Sequence, residues 1–124
     1  MNKKIENKTF DEERALYNLE GAQVLNCTFA GPADGESAFK ECRNITVKNC
    51  SFSLRYPFWH DIGYKIENCT MDDLTRAALW YSQNGEISNS SLCGIKALRE
   101  CENTKLKNCR IVSPEFGWRC RDLE

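Results

Sequence analysis

Apolar and polar residues alternate along this chain in short bursts that break at an asparagine and then resume. The unit apolar-x-Asn-small-x-apolar reads "IENKTF" at 5–10, "VLNCTF" at 24–29 and "VKNCSF" at 47–52. It returns as "IENCTM" at 66–71, "ISNSSL" at 87–92 and "LKNCRI" at 106–111. The asparagines are Asn7, Asn26, Asn49, Asn68, Asn89 and Asn108, at steps of 19, 23, 19, 21 and 19 residues. A period of two on either side of the Asn predicts two short strands. Asn tolerates the left-handed backbone region, so the unit predicts a bend between them.

A second apolar and small block follows each unit: "ALYNL", "AFKEC", "PFWHD", "ALWYS", "ALREC" and "FGWRC". The blocks start at Ala15, Ala38, Pro57, Ala78, Ala97 and Phe116, and they predict a third strand-like piece. Each repeat is too small to bury its own apolar face. Stacking repeats buries a continuous column, with strands about 4.8 Å apart. The pattern therefore predicts an all-β single domain over 1–124, a parallel β-solenoid of about six rungs of 19–23 residues. A leucine-rich repeat also keeps Asn at a fixed position, but its Leu-x-x-Leu-x-Leu spacing is absent. Length varies at one place only, between the unit and the block that follows. The gap is five residues in four rungs, nine in "FAGPADGESA" and seven in "MDDLTRAA". A solenoid permits that, because an insertion loops out on one face; Gly31 to Gly35 reads as such a loop.

Composition removes several functions. The chain has 124 residues with 17 basic and 18 acidic side chains, a net charge of −1. No basic tract or one-signed tail predicts nucleic acid or a membrane surface as a partner. No apolar run approaches a membrane span, and "MNKKIENKTF" lacks the apolar region of a signal peptide, so a cytoplasmic location is expected. Eight cysteines could suggest disulfides or zinc. There is no Cys-x-x-Cys pair and one histidine, His60, so no metal or other cofactor is expected. Cys27, Cys50, Cys69 and Cys109 share one column with Lys8 and Ser90. Cys42, Cys101 and Cys120 share another with Leu19, Asp61 and Ser82. Both columns read as small, hydrophobe-like residues inside a narrow coil. The Asn column is expected to stack its amides at a buried corner.

With these repeats in view, the segments "NKTFDEERALYNLEG", "CTFAGPADGESAFKE", "SFSLRYPFWH", "MDDLTRAALWYS", "GIKALREC" and "SPEFGWRC" carry a resemblance that runs nearly end to end. The chain resembles a bacterial family of uncharacterised right-handed parallel β-helix proteins, catalogued as a domain of unknown function and pectate-lyase-like in fold. The resemblance implies a right-handed, single-stranded parallel β-helix and carries no activity with it. Members of that family are longer. Here Asp122 and Leu123 align with Asn44 and Ile45, so the chain stops as a strand begins and reads as an N-terminal portion. An exposed last rung predicts self-association end to end.

The second block supplies the candidate chemistry. One column holds Tyr17, Lys40, Trp59, Trp80, Arg99 and Trp118, which includes all three tryptophans. Its cations place it outside the coil. It is either a structural stack of rings and cations or a platform for a sugar ring. The next column holds Asn18, Glu41, His60, Tyr81, Glu100 and Arg119. The leading expectation is a non-catalytic binding or scaffold module, with a carbohydrate ligand on Trp59, Trp80, Trp118, Tyr81 and Arg99. The alternative is a polysaccharide lyase or glycoside hydrolase using Arg55, Arg76, Asp72, Asp73 and His60. A third is a purely structural solenoid that assembles with itself.

Overall fold

The computed structural model describes residues 3–12, 15–31, 38–76, 78–113, 116–117 and 120–123. Trp118, Arg119 and most of the loop after Gly31 lie outside the described residues. Each asparagine unit becomes a strand, a corner and a strand, as expected. The pairs are β1 (Lys3–Glu6) with β2 (Thr9–Phe10), β3 (Ala22–Leu25) with β4 (Thr28–Phe29), and β5 (Arg43–Lys48) with β6 (Ser51–Phe52). They continue as β7 (Ile62–Glu67) with β8 (Thr70–Met71), β9 (Gln83–Ser88) with β10 (Ser91–Cys93), and β11 (Glu102–Lys107) with β12 (Arg110–Val112). A last strand, β13 (Arg121–Leu123), pairs onto β11.

The odd-numbered strands form one parallel sheet of seven in the order β1-β3-β5-β7-β9-β11-β13. The even-numbered strands form a second parallel sheet of six. The protein is thus a parallel β-solenoid. Register follows the repeat: Val24 pairs with Val47, Val47 with Ile66, Ile66 with Ile87 and Ile87 with Leu106. In the smaller sheet Phe10, Phe29, Phe52, Met71, Leu92 and Ile111 stack in turn. Shifting any strand by one residue would turn its apolar set to water, so the pattern pins the register.

The corner between the sheets takes the left-handed conformation in every copy. The φ angles are 59° at Asn7, 55° at Asn26, 56° at Asn49, 53° at Asn68, 51° at Asn89 and 54° at Asn108. These asparagines are exposed, which corrects the expectation of a buried corner held by stacked amides. The rungs are joined there by backbone: Asn26 N donates to Lys48 O at 3.0 Å, and Asn49 N to Glu67 O at 3.1 Å. Asparagine is needed at this position for its backbone tolerance.

The third side is not a strand. Leu16, Phe39, Phe58, Leu79 and Leu98 have φ of 56°, 59°, 61°, 62° and 57°. Two residues on, Asn18, Glu41, His60, Tyr81 and Glu100 are left-handed as well, between 51° and 60°. Left-handed residues at alternate positions prevent an extended ladder. They send one N–H to each neighbouring rung: Phe39 N to Ala15 O at 2.9 Å, and Glu41 N to Trp59 O at 2.8 Å.

The core lies between these three walls. Phe10, Phe29 and Phe52 stack with centroids 5.1 and 4.7 Å apart. Phe39 and Phe58 form a parallel pair at 4.8 Å from the third side, tilted against that stack. Each such buried ring contributes about 1.5–3 kcal/mol from apolar burial. Farther along, Tyr64 extends along the solenoid axis, over the next two strands of its own sheet. Its ring lies where a side chain on Gly85 would stand, 1.9 Å from that residue's missing Cβ. Its hydroxyl meets Thr104 Oγ1 at 3.5 Å. A large residue on one rung thus requires glycine on the next.

The cysteine columns do more than fill space. Where the preceding residue is described it is left-handed, and the turned backbone needs partners along the solenoid axis. Cys27 N donates to Cys50 Sγ at 3.4 Å, and Cys69 N to Ser90 Oγ at 3.1 Å. In the other column Cys42 N donates to Asp61 Oδ1 at 2.8 Å, Asp61 N to Ser82 Oγ at 3.1 Å, and Cys101 N to Cys120 Sγ at 3.4 Å. The side chains then donate back to carbonyls, as from Cys42 Sγ to Leu16 O at 3.3 Å and Ser82 Oγ to Phe58 O at 2.6 Å. Small residues that can place a polar atom there serve, so Cys, Ser and Asp share the column. All eight cysteines are free thiols. Burial pushes the Cys42 thiol up to about 12, far from a reactive thiolate.

Candidate functional site: the ring and carboxylate face of the third side

Because φ is positive at every second residue of the third side, alternate side chains turn in and out. Phe39, Phe58, Leu79 and Leu98 turn inward and are fully buried. The residues between them form the outer column expected from the sequence. Lys40 Nζ lies 4.1 Å from the Trp59 ring centre, Trp59 stacks on Trp80 at 5.9 Å and 27°, and the Arg99 guanidinium lies 4.6 Å from the Trp80 ring. Trp59 thus has Lys40 on one neighbouring rung and Trp80 on the other. Trp80 is flanked in the same way by Trp59 and Arg99. Stacking along the axis is the structural half of the expectation for this column, and it presents ring edges to the outside. The open ring belongs to Tyr81, which is 42 % exposed and stacks on Trp80 at 5.3 Å and 13°.

Beside this stack runs a groove of about 400 Å3 lined by Lys40, Glu41, Trp59, His60, Tyr81 and Glu100, with Gln83 and Glu102 at its far edge. Its carboxylates are held by aromatic donors. Tyr17 Oη donates to Glu41 Oε2 at 3.3 Å, and Trp80 Nε1 to Glu100 Oε2 at 3.3 Å. His60 Nδ1 lies 3.4 Å from Glu41 Oε1. The imidazole beside Glu41 holds its carboxyl below the usual range. The Glu100 carboxylate beside Tyr81 raises the phenol above its ordinary value. Glu41 and Glu100 sit three rungs apart, on the order of 14 Å along the axis. That exceeds the roughly 5–9.5 Å between the paired carboxyls of a glycosidase. The face offers hydrogen-bond acceptors and donors at fixed positions beside an open ring.

The other sequence candidates fall elsewhere. Asp72, Asp73, Arg55 and Arg76 occupy the bend between the smaller sheet and the third side, apart from His60. Asp72 closes that bend: its Oδ2 accepts from Ser53 Oγ, and its Oδ1 accepts from Leu74 N at 3.0 Å. The backbone of Arg76 is used as well, accepting from Tyr56 N at 2.8 Å. Asp73 and Arg76 point to solvent. Among the described residues no group of three or more His, Cys, Asp or Glu is placed to hold a metal ion. Among the same residues no helix is long and apolar enough to cross a membrane.

Gly or Asn stands where five of the longer strands begin: Gly21 just before β3, and Asn44, Gly63, Asn84 and Asn103 second in β5, β7, β9 and β11, all with positive φ. This is a second left-handed column, at the corner between the third side and the larger sheet.

The model of a family of proteins of unknown function, DUF3737, matches residues 3–124, and the chain belongs to that family. No curated protein and no solved structure matches the chain.

Proposed function

We propose that the protein is a non-catalytic binding module whose third side takes a carbohydrate. The observation that carries this reading is the groove beside Tyr81. An exposed ring adjoins carboxylates that neighbouring aromatic donors hold in place, with an ammonium and an imidazole close by. Sugars offer an apolar face to a ring and hydroxyls that both donate and accept, and this groove supplies both kinds of partner. The stacked tryptophans serve as its backing. They stiffen the wall through ring and cation contacts, each contributing about 0.5–1.5 kcal/mol.

A glycan microarray tests this with the wild-type chain and Tyr81→Ala. The expected result is binding to a defined subset of glycans, lost in Tyr81→Ala. The thermal midpoint of the variant should fall by only a few degrees, since the ring is at the surface and loses one stacking contact, with Trp80. Absence of glycan binding, or equal binding by the variant, would count against the reading.

A further inference from the structure

A second recess lies around the corner, on the larger sheet, and the third-side groove does not use it. It has a volume of about 490 Å3, within the range of small-molecule sites. Its walls are Asn44, Thr46, Gly63, Lys65, Asn84 and Glu86, with Lys105 at one end. The cause is the second left-handed column. That backbone accepts Gly or Asn with little strain, and the column uses both. Where asparagines are adjacent they fill the corner, as Asn103 Nδ2 donates to Asn84 Oδ1 at 2.8 Å. Where Gly63 interrupts them, with φ of 73°, a side chain is missing between Asn44 and Asn84. The Asn44 amide leans over the gap, its Oδ1 2.7 Å from where a Gly63 Cβ would be. The Asn44 amide thus takes part of the space over Gly63, and with the Asn84 amide it lines the notch there.

The wall chemistry narrows the occupant. Lys65, Glu86 and Lys105 stand in register on neighbouring strands. An anion would face Glu86, and a cation would face Lys65 and Lys105. Ile45 and Tyr64 are buried, so no ring lies open for a flat apolar ligand. The amides, the Thr46 hydroxyl and the three charged side chains together suit a neutral ligand whose adjacent groups both donate and accept.

We propose that the Gly63 notch binds a vicinal-diol ligand, either a free monosaccharide or polyol or one sugar unit of a longer chain. This goes beyond the third-side reading and does not depend on it.

The test is an amide-resolved NMR titration of the full chain with a panel of neutral monosaccharides and polyols and, in a second arm, neutral oligosaccharides. Saturable shifts at Gly63, Lys65 and Gly85 are expected. Saturation by free monosaccharides assigns the small ligand, and saturation by oligosaccharides alone assigns a chain. Gly63→Asn is the deciding variant. Asn suits the positive φ and can stack as Asn84 and Asn103 do once the flexible Asn44 amide turns aside, so the fold should persist with an amide spectrum unchanged away from Asn44. Binding should weaken at least about tenfold. Tyr81→Ala should leave it intact, which separates this site from the third-side groove. Failure of both arms, undiminished binding by Gly63→Asn, or saturation by glycine or sulfate in place of sugars would overturn the proposal.

Discussion

Two parts of this solenoid use the same uncommon backbone conformation with opposite kinds of residue. At the corner between the sheets the left-handed residue is always asparagine. On the third side it is Leu16, Phe39, Phe58, Leu79 or Leu98, and two positions later Asn18, Glu41, His60, Tyr81 or Glu100. A left-handed residue with a Cβ costs roughly 1–2 kcal/mol, least for Asn. At the corner, local preference and fold agree. On the third side the fold prevails, because the strained residue is also a core residue. Phe58 is fully buried and stacks on Phe39, and losing such a ring costs more than the strain. Local preference sets the exposed corner; packing sets the side that carries the binding groove.

The largest effect that would break this comparison is Phe58→Ala. It should destabilise the protein by about 3–5 kcal/mol in urea unfolding. Phe58→Gly sharpens the point. Gly usually costs about 0.5–1 kcal/mol more than Ala, but here it relieves a positive φ and should cost no more than Ala. A clearly worse Gly variant would show that the third side carries no strain.

Asp61 follows His60 in the left-handed stretch and is the acid in a column of thiols and hydroxyls. Burial holds its carboxyl well above the usual value, opposed by its bond from Cys42 N and by Arg43 and reinforced by Glu41. An unfolded Asp titrates near about 3.9. Between that value and its raised folded value the native state holds the extra proton, so stability falls as pH rises through this window. The contribution is fully present below the unfolded value. Asp61→Ser, which copies Ser82, should flatten the slope in urea titrations at successive pH values. An unchanged slope would contradict the assignment.

At the corner the effects are smaller. Asn68→Ala should cost about 1 kcal/mol and Asn68→Gly a few tenths, read as midpoint shifts in the same assay. Smallest is Cys69→Ser. Ser90 already fills the next place in that column with the same bonds, so a change within about 0.5 kcal/mol is expected. Cys69→Val, which cannot donate to the Val47 and Glu67 carbonyls that Cys69 Sγ reaches, should be the worse of the two.

The corner was legible because Asn recurs there and its backbone preference is strong. The third side reads as a strand in the sequence for a physical reason. Blocks such as "AFKEC" alternate inward and outward, and alternate left-handed residues send side chains to opposite faces just as a strand does. A period of two cannot separate the two conformations. The thiol columns showed where small residues sit but not that each bonds a turned backbone; Ser82, Ser90 and Asp61 were the available sign. The tryptophan column was readable as a stack because Lys40 and Arg99 interleave with it. The groove beside it depends on which carboxylate an indole N–H holds, a matter of side-chain geometry. The Gly63 notch was hidden because Gly21, Asn44, Gly63, Asn84 and Asn103 fall within stretches that otherwise read as strands.

The central claim is that packing imposes left-handed backbone on buried residues of the third side. Selective 15N labelling of Phe and Leu, followed by NMR of the intact chain, tests it most directly. A positive φ brings each residue's own amide and α protons close, so Phe39, Phe58, Leu79 and Leu98 should show strong intraresidue amide-to-α cross-peaks. Phe29 and Phe52, in strands, should show weak ones. Weak cross-peaks at all six would mean an extended third strand and would contradict the account.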